Sequence, residues 1–217
     1  MNRTLLIGLL VVGFLVAAGS IIAFVPLRTI DVTSTASHDF TINKPMVDVR
    51  KILVRSNAVK RIVAMADAKL VDQRWLGMHF QLQHPILDPD FDLKGNGQLV
   101  VETNNRYLGK YQITLDQNIN ITRYNLSVVS NLDQPVGPIR KYYSTLTLVP
   151  DEQGKARFES TLELEIKTTA SWLISPFVKA GIRAAARDSL RNQEKALREV
   201  VASGSGTILD GILGHGS

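Results

Sequence analysis

The chain contains no cysteine, and this absence removes several kinds of chemistry at once. Disulfide frameworks, thiolate zinc sites and cysteine nucleophiles are excluded. The compartment stays open, because a cysteine-free chain suits an oxidising and a reducing space alike. The sequence also lacks the GxSxG, P-loop and dinucleotide-binding patterns. The aspartates at positions 88, 90 and 92 have the spacing that opens a calcium loop. However, Leu93 stands where the loop needs glycine, and Leu99 stands where it needs glutamate. We therefore predict no catalytic residue, no cofactor and no metal site.

Aromatic residues are also scarce, at 6% of the chain with only two tryptophans. The net charge is +5, and the excess of basic residues lies in residues 44–61 and near the C-terminus. A nucleic-acid-binding surface usually combines such charge with interleaved aromatics or a known motif, and neither is present. The charge therefore predicts attraction to anionic lipid rather than to DNA or RNA.

An uncharged, apolar run fills the sequence between Arg3 and Arg28. It is long enough to cross the hydrocarbon core of a bilayer, about 30 Å, as one helix. A cleaved signal peptide is the alternative, with small residues at 17–19 as the cleavage site, but the apolar run continues beyond the usual length of such a segment. We predict an uncleaved, single-pass anchor at residues 1–28. Arg3 and the terminal amine predict a cytoplasmic N-terminus and an extracytoplasmic domain.

The rest of the chain has the length of one folded domain, predicted at residues 38–203, after a polar linker at residues 29–37 and before a flexible tail at residues 204–217. A first strand at residues 38–43 is followed by two short helices that share residues 46–70 and are separated at Ser56-Asn57. Strands follow at residues 74–83, 99–102, 111–115, 119–130, 141–149 and 157–168. The order predicts an α+β fold with an antiparallel sheet.

Alternation within these strands predicts which side chains face the core. In the first long strand, the apolar side chains of one face are Leu76, Met78, Phe80 and Leu82. In the last strand they are Phe158, Leu162, Leu164 and Ile166. Tyr111, Tyr124 and Tyr142 share parity with neighbouring apolar residues, so they either line a cavity or place their rings in the core and their hydroxyls at the surface.

A long amphipathic helix is predicted over residues 171–203, with Pro176 in its first turn and a glycine-rich stop after residue 203. Its apolar stripe comprises Ile174, Val178, Ile182, Ala185, Ala186, Ser189, Gln193, Ala196, Leu197 and Val200. The centre of this stripe, at Ala185 and Ser189, is small, and Gln193 is polar. Two interpretations stay open: close packing on the sheet, or a void in which Ser189 and Gln193 offer hydrogen bonds to a ligand.

The opposite side of this helix is basic, with Arg183, Arg187 and Arg191 among its residues. One interpretation is a solvated face whose charge nearby acidic residues partly offset. The other is contact with anionic headgroups, worth about 1 kcal/mol per basic residue near the membrane surface.

Two segments together resemble the START-like superfamily, also called helix-grip or SRPBCC, which includes polyketide cyclases and lipid-transfer proteins. SHDFTINKPMVDVRKIL is similar to the family's opening strand and first helix, and SPFVKAGIRAAARDSLRNQEKALREVV is similar to its closing helix. The resemblance covers residues 37–202. It implies a curved sheet of about six or seven strands around the last helix, enclosing a cavity for an apolar molecule.

These observations lead to a functional hypothesis with two alternatives. We expect a membrane-anchored domain that binds an apolar small molecule or lipid between sheet and helix, lined by Tyr111, Tyr124, Tyr142, Ile182, Ala185, Ser189 and Gln193. The first alternative is a structural subunit of an envelope complex with a filled core; the second is a cyclase or hydratase. The absence of an evident inward carboxylate disfavours the enzyme.

Overall fold

The computed structural model describes residues 27–55, 58–65, 68–83, 90–105 and 109–204. Its elements, in chain order, are β1 (Leu27–Pro45), α1 (Met46–Arg55), α2 (Ala58–Met65), β2 (Ala68–Gln83), β3 (Asp90–Asn105), β4 (Gly109–Thr122), β5 (Leu126–Leu132), β6 (Ile139–Pro150), β7 (Lys155–Ser171) and α3 (Ser175–Ser203). The predicted pair of short helices and the long C-terminal helix are confirmed.

The seven strands form one antiparallel sheet in the order β1-β7-β6-β5-β4-β3-β2. The chain thus begins at one edge, crosses to the other through α1 and α2, and returns strand by strand. Helix α3 then packs against β1 and β7. This is the predicted α+β helix-grip arrangement, in which a single long helix covers the inner face of the sheet.

Alternation in β7 explains why this strand anchors the core. Phe158, Leu162, Leu164 and Ile166 are buried, as predicted. The hairpin before β7 turns at Gly154, whose φ of 75° favours glycine. The Asp151 carboxylate accepts hydrogen bonds from the backbone N–H groups of Gln153 and Lys155 and fixes that turn.

Residues 29–37 form part of β1, so the predicted linker is wrong. The inward positions Ile30, Val32, Ser34 and Ala36 are all buried, and each pairs with a residue of β7. The segment looked like a linker because a serine and an alanine occupy inward positions that strands usually fill with larger apolar residues. Ala36 packs beside Ala186 and Leu190 of α3, so the small side chain lets the helix approach the edge of the sheet.

Two strand predictions also need correction. The predicted strand at residues 119–130 is two strands, β4 and β5, which a turn at residues 123–125 joins. Leu76, Met78 and Phe80 are exposed rather than buried. They lie on the edge strand β2, beyond a register shift between Trp75 and Gly77, whereas Ala68 and Leu70 near the start of that strand pack on the core. The side chain of Leu82 lies outside the described residues.

The predicted anchor lies outside the described residues up to residue 26, while Leu27 and Arg28, assigned to it from the sequence, belong to β1. Within the described ranges, no helix is long and apolar enough to span a bilayer. The predicted tail lies outside these ranges from residue 205. Gly204 itself ends α3, where its N–H bonds the Val200 carbonyl.

Candidate functional site

A cavity of about 590 Å³ lies between α3, α2 and the inner face of the sheet. Helix α2 contributes Val59, Ile62 and Val63, and α3 contributes the residues from Ala185 to Gln193 that face the sheet. Strands β2 to β7 supply the remaining wall. The described residues around this cavity thus leave a volume that their side chains do not fill.

The small residues at the middle of α3 border this cavity. Ala185, Ser189 and Gln193 all line it. Ala185 is buried by its neighbours, whereas Ser189 and Gln193 are half-buried with surface facing the open volume. Ile182, one turn earlier, instead belongs to the packed core and does not border the cavity. Ile174 precedes the helix and is exposed, so the apolar stripe begins later than predicted.

Of the three candidate tyrosines, Tyr142 on β6 lines the cavity. Burial raises the pKa of its hydroxyl, and a hydrogen bond with the Ser144 side chain opposes that shift in part. The hydroxyl therefore stays protonated at physiological pH and can both donate and accept a hydrogen bond.

Tyr111 and Tyr124 lie elsewhere. Tyr111 is half-buried against the core, and its ring packs over Gly137 so closely that an added Cβ would lie 2.3 Å from Cε1. Tyr124 is exposed in the turn between β4 and β5, under the Arg123 guanidinium at 5.2 Å. The prediction that Tyr124 lines a cavity is wrong, because the turn interrupts the alternation on which it rested.

One carboxylate, Asp188 on α3, borders the cavity, although the sequence had shown no inward acidic residue. The Asp188 side chain is also exposed to solvent, so it lies at the rim rather than in the interior. The cavity-lining residues include no lysine, arginine or histidine among the described residues. Positive charge is thus absent from the described wall of the cavity.

Helix α3 is held on β1 by a polar cluster just beyond the cavity. His38 Nε2 donates to Glu194 Oε2 at 2.5 Å, and Arg198 Nε donates to Glu194 Oε1 at 2.7 Å. Arg198 also donates to the Thr41 carbonyl and lies 5.0 Å from the centre of the Phe40 ring. The contacts of Glu194 with His38 and of Arg198 with β1 join residues more than 150 positions apart, and they fix the helix at the edge where the cavity ends.

We expect this cluster to make the free energy of unfolding depend on pH in the acidic range. The hydrogen bond from His38 is the main cause that lowers the pKa of Glu194 from its ordinary 4.5, and Arg198 adds to it against the effect of burial. A lowered pKa in the folded state stabilises the fold above about pH 4.5, and this contribution is lost as the pH falls through the folded-state value. The free energy of unfolding, measured in urea at neutral pH, should be smaller for the Glu194→Gln variant than for the wild type. The difference should vanish in strong acid; a constant difference would contradict the assignment.

The three arginines predicted to contact a membrane are exposed on the outer side of α3. The side chain of Arg187 donates to the Arg183 carbonyl at 3.4 Å, a weak contact. Their exposure leaves both interpretations of the basic face open.

Similar proteins were found among solved structures only. No family model matches the chain, and no curated protein matches its sequence. A protein of Thermus thermophilus is 11% identical, with a TM-score of 0.46 over 80% of this chain and 99% of that one. A START superfamily protein of Mycobacterium smegmatis is 14% identical, with a TM-score of 0.45 over 78% and 97%. The Zhui aromatase/cyclase of Streptomyces is 9% identical, with a TM-score of 0.44 over 80% and 94%.

Proposed function

We propose that the domain binds an apolar small molecule, a lipid or lipid-like compound, in the cavity between the sheet and α3. The observation that carries the proposal is the cavity itself: about 590 Å³, bordered by apolar strand residues and by the undersized centre of the helix. Pockets for small molecules and cofactors commonly measure about 300–1,000 Å³ and are mostly apolar with a few polar groups. A close-packed interior leaves few voids larger than a water molecule.

We further propose that the domain works at a bilayer to which residues 4–25 anchor it. An exposed apolar surface supports this, and we call it the apolar corner: Leu27, Trp172, Leu173, Ile174 and Phe177. Phe177 is 77% exposed and Trp172 is 60% exposed. Exposed large side chains clustered in this way are typical of a surface that meets a partner or a membrane.

The position of the apolar corner supports the proposal that a membrane is its partner. Leu27 pairs with Ser171, the residue before Trp172, so the corner lies where β1 begins. The proposed anchor ends at residue 25, two residues before Leu27, a reach of about 7 Å for an extended chain. If residues 4–25 span the bilayer, the corner must therefore lie at its surface, where tryptophan and other apolar side chains are favoured.

This geometry divides the basic residues of α3. Arg183 follows Phe177 by six positions, about 9 Å along the helix axis, whereas Arg191 follows it by about 21 Å. Charges separated by more than about 8 Å of electrolyte are largely screened at physiological ionic strength. We therefore propose that attraction to headgroups is partly screened at Arg183, about one Debye length from Phe177, and weakens further at Arg187 and Arg191.

A binding measurement with the neutral, environment-sensitive dye Nile red tests the proposed function. The full chain, held in an amphipathic polymer, should give a saturable fluorescence increase above that of the polymer alone. Saturation indicates a defined site, whereas partition into polymer rises without limit. A signal no larger than the polymer background would contradict the proposal.

A further inference from the structure

A row of polar side chains crosses the inner face of the sheet at the level of the cavity. Gln117 on β4 pairs with Ser130 on β5, and Ser130 pairs with Ser144 on β6. Gln117 Nε2 donates to Ser130 Oγ at 3.0 Å. All three residues line the cavity, and so does Tyr142, which bonds Ser144. These hydroxyls and the amide form a continuous polar strip on the sheet wall.

The helix wall is polar as well. Asp188, Ser189, Asn192 and Gln193 of α3 border the same cavity. Within the part of the chain that the structure describes, the side chains of Ser189, Asn192 and Gln193 make no hydrogen bond or ion pair. Their hydrogen-bonding capacity is thus available to a molecule in the cavity. Together, the strip on the sheet and these helix residues form what we call the polar belt.

Apolar residues lie on both sides of the polar belt. On one side, Leu99, Val101, Ile113, Leu115 and Leu164 belong to one core cluster and line the cavity. On the other side, Ile119, Val128 and Leu146 line it, and Val128 and Leu146 belong to a second cluster. The strands place the belt between these groups because Leu115, Gln117 and Ile119 follow one another on the same face of β4.

The charge of the belt restricts its ligand further. Tyr142 stays neutral because burial raises its pKa, and Asp188, the one carboxylic acid among the described lining residues, lies at the rim. No cation lines the described wall to neutralise a buried anion. A carboxylate or phosphate transferred to such a site would lose its hydration without a counter-charge, which is strongly unfavourable.

We propose that the ligand is an uncharged molecule with a hydroxyl or carbonyl group near its middle and apolar parts on both sides. This inference rests on the proposed function, since it describes the occupant of the same cavity. The polar belt would bond the central group, and the two apolar regions would receive the parts that flank it. A charged headgroup would have to stay outside the belt.

Competition against Nile red tests the inference on the full chain in an amphipathic polymer. The probes share one chain length: a secondary alcohol with its hydroxyl at mid-chain, the corresponding alkane, and the corresponding fatty carboxylate at neutral pH. We expect the alcohol to compete best, with at least a severalfold advantage over each of the other two. Equal competition by the carboxylate or the alkane would overturn the inference.

Variants locate the effect at the polar belt. Ser130→Val together with Ser144→Ala should weaken competition by the alcohol about three- to tenfold, as expected when hydrogen bonds to a buried group are lost. Competition by the alkane should not weaken. Ser127→Ala, on the outward side of β5, is the matched control and should change neither. Circular dichroism confirms that each variant folds.

The outcomes separate this inference from the proposed function. If Nile red binds saturably and all probes compete alike in wild type and variant, the cavity binds apolar molecules but the polar belt does not select among them. If the dye shows no saturable binding, the proposed function fails, and the inference fails with it.

Discussion

A chain carrying Ala185→Leu and Ser189→Leu is expected to lose at least about tenfold of its affinity for Nile red while its melting temperature stays level or rises. Both residues border the cavity, so the added methine and methyl groups would enter open space that the ligand needs. Burying each such group contributes about 0.8 kcal/mol, which offsets small rearrangements. Thermal unfolding and dye titration of the same sample give both readouts.

Ala196 provides the matched control for that double substitution. It lies on the same helix, is fully buried and does not border the cavity. Ala196→Leu should therefore overpack a filled interior, at a cost of about 1–3 kcal/mol in the free energy of unfolding. Its dye affinity should change little in the molecules that remain folded. If the substitutions at positions 185 and 189 destabilise the fold as much as this one, the helix face is packed and the cavity is not a binding site.

The second large effect concerns the apolar corner, and the two tryptophans allow a clean measurement. With the full chain in liposomes, the fluorescence of Trp172 should be strongly quenched by lipids brominated in the upper part of the acyl chain. The physical reason is that an exposed indole beside the proposed anchor should lie at the headgroup level. The variant Trp75→Phe isolates this signal.

The reciprocal variant supplies the control. In Trp172→Phe, the remaining Trp75 lies on β2, the opposite edge strand of the sheet, and is exposed to a similar extent. We expect little quenching of Trp75 by the same lipids. Equal quenching of both residues would show that the corner is not a specific contact, and no quenching of either would place the domain away from the bilayer surface.

Sequence patterns were sufficient where structure follows from local periodicity. The alternation in β7 and the helical spacing in α3 are long and regular, so the buried face of β7 and most of that of α3 were predictable. The buried Leu190 and Val201 were missing from the predicted stripe of α3. Ala185, Ser189 and Gln193 could be assigned together because helical geometry brings residues four apart to the same face. The start of the domain was not predicted correctly, because the small or polar inward residues Ser34 and Ala36 hide the strand pattern in the first half of β1.

Long-range pairing set the limit of what the sequence could show. The polar belt depends on the register that aligns Gln117, Ser130 and Ser144, and no local pattern gives that register. A signal did exist: Ser130 and Ser144 occupy inward positions beside Val128 and Leu146, where a filled core would carry apolar residues. The contact of His38 with Glu194 likewise joins the start and end of the domain, far beyond any helical or strand period.

The most direct measurement compares the small molecules that copurify with the full chain and with its Ala185→Leu, Ser189→Leu variant. Both proteins carry the same N-terminal run, so lipids that associate with that segment should appear equally in the two extracts. Mass spectrometry of the extracts should show at least one neutral, apolar compound that is abundant with the wild type and depleted about tenfold or more with the variant. Identical extracts from the two folded proteins would contradict binding in the cavity.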